Sequence, residues 1–229
     1  LRHSFVDEDR KTALQNFEVE GFPTKKDEEY EYTNLKEITE KEYNFFPTEE
    51  HNISKEQLDA LHLGEENFDR IVFINGKLHK EFSKISIGNA EFLSFGYALN
   101  DSAHKEAFDQ YFNTIANKDL AFINLNSAYC NFGFFLRVPK NVVIEKPIHV
   151  FYLSQNQEEN TFYNTRNLLI VEESAKVEII ESHHNLDETF VFTNSVTEIF
   201  AHQNSKADWH KLQNDSDTSY LVDHTFAKQ

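Results

Sequence analysis

Three copies of one ten-residue pattern follow one another in the second half of the chain. The copies are LRVPKNVVIE (136–145), LIVEESAKVE (169–178) and IFAHQNSKAD (199–208). Their starts are 33 and 30 residues apart, and each joins two alternating strands through a polar turn centred on Asn141, Ser174 or Asn204. Sequential repeats of about 20 to 50 residues are typical of solenoids, whose units bury their apolar faces only by stacking. The pattern therefore predicts a β-solenoid.

The alternation within the copies also predicts which side chains face the interior of the solenoid. These candidates for the core are Leu136, Val138, Val142, Ile144, Leu169, Val171, Val177, Ile179, Ile199 and Trp209. An aspartate at Val177 or Ile179 would be buried without a partner, and we expect it to destabilise the fold by several kcal/mol.

The first half of the chain has a different pattern. The spacing of apolar residues predicts helices over 7–20, over 54–63, with Ser54 and Gln57 placed for a capping box, and over 102–117. Asn75-Gly76 lies between two strand-like runs and predicts a hairpin over 70–82 with a type I′ turn.

Two regions follow from these patterns. We expect residues 1–118 to form a mixed α/β, largely helical domain that caps the N-terminal end of the solenoid, where strand edges would otherwise be unpaired. We expect residues 119–229 to form the first part of the β-rungs, truncated at the C-terminal end. The run 120–129 would lead into the first rung.

Charge and cysteine content limit the partners and the compartment. The formal net charge is −17, from 39 acidic and 22 basic residues, so binding to nucleic acid or to an anionic membrane is disfavoured. A basic protein partner or a metal ion is compatible with this charge. Cys130 is the single cysteine, so no intramolecular disulfide can form. There is no secretory signal pattern and no apolar run of about 18 residues, and the cytoplasm is the expected location.

Several ordered blocks of the sequence resemble one family. They are GFPTKKDEEYEYTNL (21–35), LNSAYCNFGFFLRVPKNVVIEKPIHV (125–150), RNLLIVEESAKVEIIESH (166–183) and TNSVTEIFAHQNSKADWHKLQND (193–215). Together they resemble the SufB/SufD family of the SUF iron–sulfur cluster assembly machinery. The first block resembles the opening motif of the SufD branch, with Tyr30 where Trp is commoner.

This resemblance implies a mainly β fold, with a right-handed parallel β-helix core and an N-terminal α/β capping region. It implies a non-catalytic scaffold subunit that pairs with a SufB paralogue and a SufC ATPase, with a homodimer as another assembly. The iron–sulfur cluster would be handled by the whole complex, and no cofactor is expected on this chain. A SufB-type cluster scaffold and a carbohydrate-active β-helix enzyme are the alternatives.

Some residues suggest chemistry on the rungs, but none is assigned a catalytic, cofactor-binding or metal-binding role. A single thiol cannot hold a cluster, so Cys130 is expected to be a packed free thiol. Five histidines lie on the predicted rungs: His183, His184, His202, His210 and His224. The spacings between them match no compact metal-binding motif, so we expect these side chains on exposed strand faces.

Clustered carboxylates are the feature that suggests an enzyme. Glycosidases use a pair of carboxyl groups, and four glutamates lie close together in and just after the second repeat: Glu172, Glu173, Glu178 and Glu181. In so acidic a chain we expect them on solvated faces. Lys140 and Lys146 flank the first turn, but the chain lacks a phosphate-loop motif, so we expect any ATP to be bound by a partner.

Overall fold

The computed structural model describes residues 6–61, 67–155, 157–213 and 215–229. The helices of this part are α1 (Asp7–Glu20), α2 (Lys36–Thr39), α3 (Lys55–Ala60), α4 (Phe95–Ala98), α5 (Lys105–Tyr111) and α6 (Ala121–Tyr129). The strands are β1 (Asp69–Ile74), β2 (Lys77–Leu78), β3 (Glu91–Ser94), β4 (Phe132–Val138), β5 (Ile148–Ser154), β6 (Thr161–Val171), β7 (Lys176–Asn185), β8 (Val191–Ala201), β9 (Lys206–Gln213) and β10 (Ser219–Lys228). None of the helices in this part has both the length and the apolar character needed to cross a membrane.

The strands form two five-stranded sheets that the chain visits alternately. Sheet one has the order β10-β8-β6-β4-β3, and sheet two has the order β2-β1-β5-β7-β9. Successive rungs consist of β4 with β5, β6 with β7, and β8 with β9, and β10 begins a further one. All pairs between rungs are parallel. The protein is therefore a parallel β-solenoid of about three turns, which confirms the predicted fold class.

The register between rungs equals the spacing of the sequence repeats. On sheet one, Leu136 pairs with Leu169, which pairs with Ile199. The same step on sheet two places Ile179 beside Trp209. Equivalent positions of the repeats are thus direct neighbours in the sheets, so each apolar side chain stacks on its counterpart.

The three predicted turn centres have the same backbone conformation. Asn141, Ser174 and Asn204 have φ values of 62°, 60° and 57°, in the left-handed region. The N–H of Asn141 donates to the carbonyl of Glu173 at 3.0 Å, and the N–H of Ser174 donates to that of Gln203 at 3.0 Å. The hydrogen-bonded ladder therefore continues through the turns.

The apolar core lies between the two sheets, as the alternation of apolar and polar residues in the repeats predicts. Eight of the ten predicted interior residues are buried in one cluster, and Val142 and Trp209 are partly buried and pack against it. The predicted interior is therefore confirmed, and the two exceptions contact the same core.

The N-terminal region extends both sheets at their first edge. The β1–β2 hairpin has φ values of 50° at Asn75 and 79° at Gly76, as a type I′ turn requires. Strand β1 runs parallel to β5, and β3 runs antiparallel to β4. These strands provide the expected cap, and α4, α5 and α6 cover the outer face of sheet one.

Two predicted elements differ from the structure. The predicted helix over 102–117 is instead a 3₁₀ turn at Ser102–His104 followed by the short helix α5. It stops there because the N–H groups of Asn113, Ile115 and Ala116 donate to the Glu198 carboxylate. The run 120–129, expected to lead into the rungs, contains helix α6, which packs on sheet one. The division of the chain near residue 118 stays a prediction.

Two other helices agree with expectation. Helix α1 has the predicted bounds, and α3 has the Ser54–Gln57 capping box. The predicted end of the second helix, at Leu63, lies outside the described residues.

We predict that Val177→Asp destabilises the protein by about 3 kcal/mol or more, because the carboxylate would be buried among apolar side chains. Val177 is 2% exposed, whereas Val143, in the first repeat, is 44% exposed. Val143→Asp is therefore the matched control, and chemical denaturation of both variants is the measurement. Equal stability of the two variants would contradict the assignment of Val177 to the core.

We also predict opposite effects of two substitutions at Ser174. Ser174→Gly should raise the free energy of unfolding by up to ~1 kcal/mol, because glycine adopts the left-handed conformation without steric cost. Ser174→Val should lower it by about 1–2 kcal/mol. Asn204→Gly is the control, with a smaller gain expected because asparagine already tolerates this conformation. Thermal and denaturant unfolding would measure all three.

Candidate functional site

The interior of the solenoid becomes charged toward the third rung. Val150, Glu181 and Lys211 occupy equivalent positions on β5, β7 and β9. Val150 belongs to the apolar core and Glu181 is fully buried, whereas Lys211 lies on β9, the last strand of sheet two, with a partly exposed side chain. The residue at this position is therefore apolar in the first rung, anionic in the second and cationic in the third.

Glu181 is the centre of this charged region. Its carboxylate is 2.8 Å from His183 Nε2, accepts a hydrogen bond from Trp209 Nε1 at 3.1 Å, and lies 3.8 Å from Lys211 Nζ. The Lys211 ammonium also forms an ion pair with Asp223 of β10. We call Glu181, His183, Trp209, Lys211 and Asp223 the interior cluster.

The interior cluster determines the charge state of Glu181. Burial alone would raise the pKa of this carboxyl group, because burial disfavours the charged form. The hydrogen bond from His183, the positive charge of Lys211, the electrostatic contribution of His183 and the hydrogen bond from Trp209 outweigh burial and lower the pKa. The interior therefore holds a carboxylate at neutral pH.

Further buried polar side chains lie next to the interior cluster. The ring of His183 stacks on Tyr152 with 4.8 Å between centroids, and the Tyr152 hydroxyl donates to Asn167 Oδ1 at 2.8 Å. Burial, and secondarily the charge of Glu181, raises the pKa of Tyr152, so its hydroxyl stays protonated. A neighbouring cavity of about 30 Å³, lined in part by Tyr163 and Asp215, is large enough for ordered water.

A second buried ion pair lies on the outer side of sheet one. Arg166 and Glu198 are both fully buried and form a salt bridge. Arg166 Nη2 also donates to Asn113 Oδ1 at 2.7 Å, and its guanidinium lies 4.8 Å from the centroid of the Phe112 ring. Because Glu198 also accepts the N–H of Asn113 at 2.9 Å and that of Ala116 at 3.2 Å, the pair fastens the segment after α5 to the sheet.

Cys130 is a packed free thiol, as expected. It is fully buried against apolar side chains that include Phe95 and Phe135, and its Sγ is 3.6 Å from the carbonyl oxygen of Ser127. A thiol in this position is inaccessible to a reagent unless the structure opens.

The five rung histidines do not form one site. The expectation of exposure is correct for His202, 3.0 Å from the Tyr111 hydroxyl, and for His210, 3.4 Å from Glu178. It is wrong for His183, which is 7% exposed and faces the interior, while His184 and His224 are half-buried. In the described ranges, no three His, Cys, Asp or Glu side chains are grouped so as to hold a metal ion.

The four glutamates also point in different directions. Glu172 pairs with Arg137, and Glu173 pairs with Lys140 at 2.8 Å, both at the turns. Glu178 is partly exposed, and Glu181 is buried, so a solvated face is the wrong location for Glu181. The carboxylates therefore do not converge in one groove. Lys146, which directly follows the first repeat, is exposed.

The sequence interpretation missed Lys211, Asp223 and Arg166. A signal for Lys211 exists, since it follows Glu181 by the 30-residue offset of the repeats, and that offset makes the two residues neighbours. Arg166 carries no such signal, because its burial depends on the helices that cover sheet one.

Two consecutive family matches cover almost the whole chain. Residues 2–150 match the SufBD protein N-terminal region, and residues 152–229 match the SUF system FeS cluster assembly SufBD core domain. Together with the parallel solenoid, these matches define a β-solenoid protein of iron–sulfur cluster assembly. The chain belongs to the SufB/SufD family.

Relatives from three organisms agree with this assignment. An iron–sulfur cluster assembly SufBD family protein of Synechocystis sp. is 26% identical over 208 residues, which are 87% of this chain and 46% of that protein. The chloroplastic protein ABCI7 of Arabidopsis thaliana is 26% identical over 218 residues, 91% of this chain and 44% of that protein. A SufBD family protein of Staphylococcus saprophyticus is 29% identical over 119 residues, 51% of this chain and 25% of that protein. The chain spans about half the length of these relatives or less.

We predict that Glu181→Gln lowers the free energy of unfolding at pH 7 by about 1–3 kcal/mol, because charge-assisted hydrogen bonds are weakened. Since folding lowers the pKa of Glu181, its charge contributes stability above the unfolded pKa of about 4.3, and this contribution is lost as the pH falls through the folded pKa. Denaturant unfolding at a series of pH values from neutral to acidic should therefore show that the free energy of unfolding falls less in the variant than in the parent.

Glu178→Gln is the control for this prediction. Glu178 lies on the same strand but is partly exposed, beside the exposed His210. We expect its free energy of unfolding to stay within about 0.5 kcal/mol of the parent value at each pH. Parallel pH profiles for the parent and Glu181→Gln would contradict the role given to the interior cluster.

Proposed function

We propose that the protein containing this chain is a SufD-type, non-catalytic scaffold subunit of the SUF machinery, which pairs with a SufB paralogue and a SufC ATPase. The observation that carries the proposal is the match of both SufBD regions, to residues 2–150 and 152–229, in a chain whose strands β4 to β10 form a parallel solenoid. The iron–sulfur cluster is the cargo of the assembled complex.

The rigidity of the solenoid supports a scaffold role. Each rung is fixed to the next by a parallel ladder in one register, and the turns also participate in it. Such a body can hold partner proteins at a constant separation without contributing reactive groups. The dispersed glutamates support the same conclusion, because a glycosidase needs two carboxyl groups that face one substrate.

The SufD assignment rests on the motif at residues 21–35. In the structure Tyr30 and Leu35 of this motif pack in a cluster with Phe122 of α6, whereas Tyr32 is 93% exposed. The motif thus holds the N-terminal segment against the helix that precedes the first rung. The net charge of −17 and the single buried Cys130 favour protein partners in a reducing compartment, which we take to be the cytoplasm.

Co-expression of the full-length protein with the paralogous subunit and the ATPase of the same organism tests the proposal. We expect the three to co-elute as one complex that accepts iron and sulfide anaerobically with the visible absorbance of a cluster. The chain alone should gain no such absorbance. Cys130→Ala should leave the complex unchanged, because the thiol is buried among apolar side chains.

Two results would refute this assignment. Failure of the ATPase and the paralogue to co-elute would contradict a scaffold role in this machinery. A cluster held by the chain alone and lost in Cys130→Ala would establish the SufB-type alternative, in which the subunit itself carries the cluster.

A further inference from the structure

The chain between α5 and α6 directs three backbone N–H groups at one buried carboxylate. The N–H of Asn113 donates to Glu198 Oε2 at 2.9 Å, and those of Ile115 and Ala116 donate to Oε1 at 3.3 Å and 3.2 Å. Asn113 has a φ of 57°, in the left-handed region. Turns that contain such a residue can point several N–H groups at one anion. Both oxygens of the carboxylate are therefore bound by main-chain donors.

The Arg166 guanidinium adds a positive charge to the same carboxylate. Arg166 and Glu198 form a salt bridge, and both side chains are fully buried. The Nε–H of Arg166 has no acceptor among the described residues. Donors thus outnumber acceptors around the carboxylate, which is the composition of a site for an anion. We call residues 113–116 together with Arg166 the carboxylate site.

The strand positions next to Glu198 are apolar. In the register of sheet one, its neighbours are Leu168 of β6 and Phe226 of β10. A charge buried among such side chains is costly unless other groups donate to it. The carboxylate is therefore compatible with its position only while the carboxylate site surrounds it.

Apolar contacts of the 112–117 segment are few beside this polar attachment. The ring centroid of Phe112 lies 5.8 Å from that of Phe108 on α5, and Ala116 packs against Val196 of β8. The residues between them, 113–115, make their contacts to the sheet through Glu198 and Arg166. Short segments with few apolar contacts can open locally while the rest of a protein stays folded.

We propose that the carboxylate site is a binding site for a small carboxylate, that Glu198 is its built-in ligand, and that occupancy of the site decides whether the 112–117 segment docks on sheet one. The solenoid itself stays folded when the site is empty, because its ladder and its apolar core lie elsewhere. This inference is independent of the role in cluster assembly proposed above.

Rescue of Glu198→Ala by a free carboxylate tests the proposal on the purified protein. The substitution removes the atoms that correspond to an acetate ion. We expect the melting temperature to fall by about 6 °C or more, because buried donors lose their acceptor. Acetate should restore at least roughly half of this loss, and the effect should saturate as binding does. Acetamide, which has the same shape without the charge, and sodium chloride at equal concentration should restore none of it.

Amide hydrogen exchange shows whether the segment is released. In Glu198→Ala the N–H groups of Asn113, Ile115 and Ala116 should exchange about tenfold faster or more, and acetate should slow them again. The amides of β6 and β8 should stay protected in both conditions. Glu198→Gln keeps the size of the side chain and removes only the charge, so it should show the same release in a variant that creates no cavity.

Glu172→Ala is the matched control. Glu172 also accepts a backbone N–H, from Lys140 at 2.9 Å, and binds a guanidinium, that of Arg137 at 2.7 Å, but it lies at a partly exposed turn. Water can replace its carboxylate there. We therefore expect acetate to leave the melting temperature of Glu172→Ala within about 1 °C.

Three results would overturn the proposal. Equal effects of acetate and acetamide on Glu198→Ala, or no effect of either, would show that the site does not select a carboxylate. Unchanged exchange at Asn113, Ile115 and Ala116 in both variants would show that the segment docks without the charge. A Glu198→Ala protein that stays unfolded at every acetate concentration would contradict a solenoid that folds independently of the site.

Discussion

The parallel backbone ladder between successive turns is the constraint on which the rest of the structure depends. It requires each rung to return to the same register although the repeats start 33 and 30 residues apart, and at the three turns Asn141, Ser174 and Asn204 share the left-handed conformation. Once the turns match, Leu136, Leu169 and Ile199 must stack. A shift of one residue in the register of a strand would turn all its side chains to the opposite face, since side chains alternate between faces with period two.

The helices that cover the outer face of sheet one also satisfy its polar side chains. Strands β6 and β8 are buried on both faces, so polar side chains on their outer face need partners within the protein. Arg166 and Glu198 meet this need by pairing with each other and by binding Asn113. Such a pair is weak evidence for net stability, because desolvation opposes the Coulomb attraction. It does determine where the chain after α5 can lie, since a different path would leave Glu198 buried without its donors.

The repeats allowed the solenoid, the turn positions and the apolar interior to be predicted, because the alternation of side chains and turn chemistry are local properties. Helix α6 could not be predicted, since an apolar run containing Phe122, Ile123 and Leu125 is compatible with a buried strand or a buried helix, and packing on sheet one decides between them. The position of Glu181 was misjudged for another reason. Alternation from Val177 and Ile179 places it inside, but charged residues are usually solvated.

The interior cluster divides the solenoid into two parts with different physical roles. Where Ile148 and Ile179 stack, burial of apolar surface stabilises the rungs. Where Glu181 replaces Val150, the carboxylate is instead stabilised by His183 on its own strand and by Trp209 and Lys211 of the following strand β9, and Lys211 in turn pairs with Asp223 of β10. The second rung is therefore complete only when the third has formed around it. This dependence couples the rungs more strongly than apolar stacking alone, because a missing apolar neighbour leaves exposed surface, whereas a missing ionic partner leaves a buried charge.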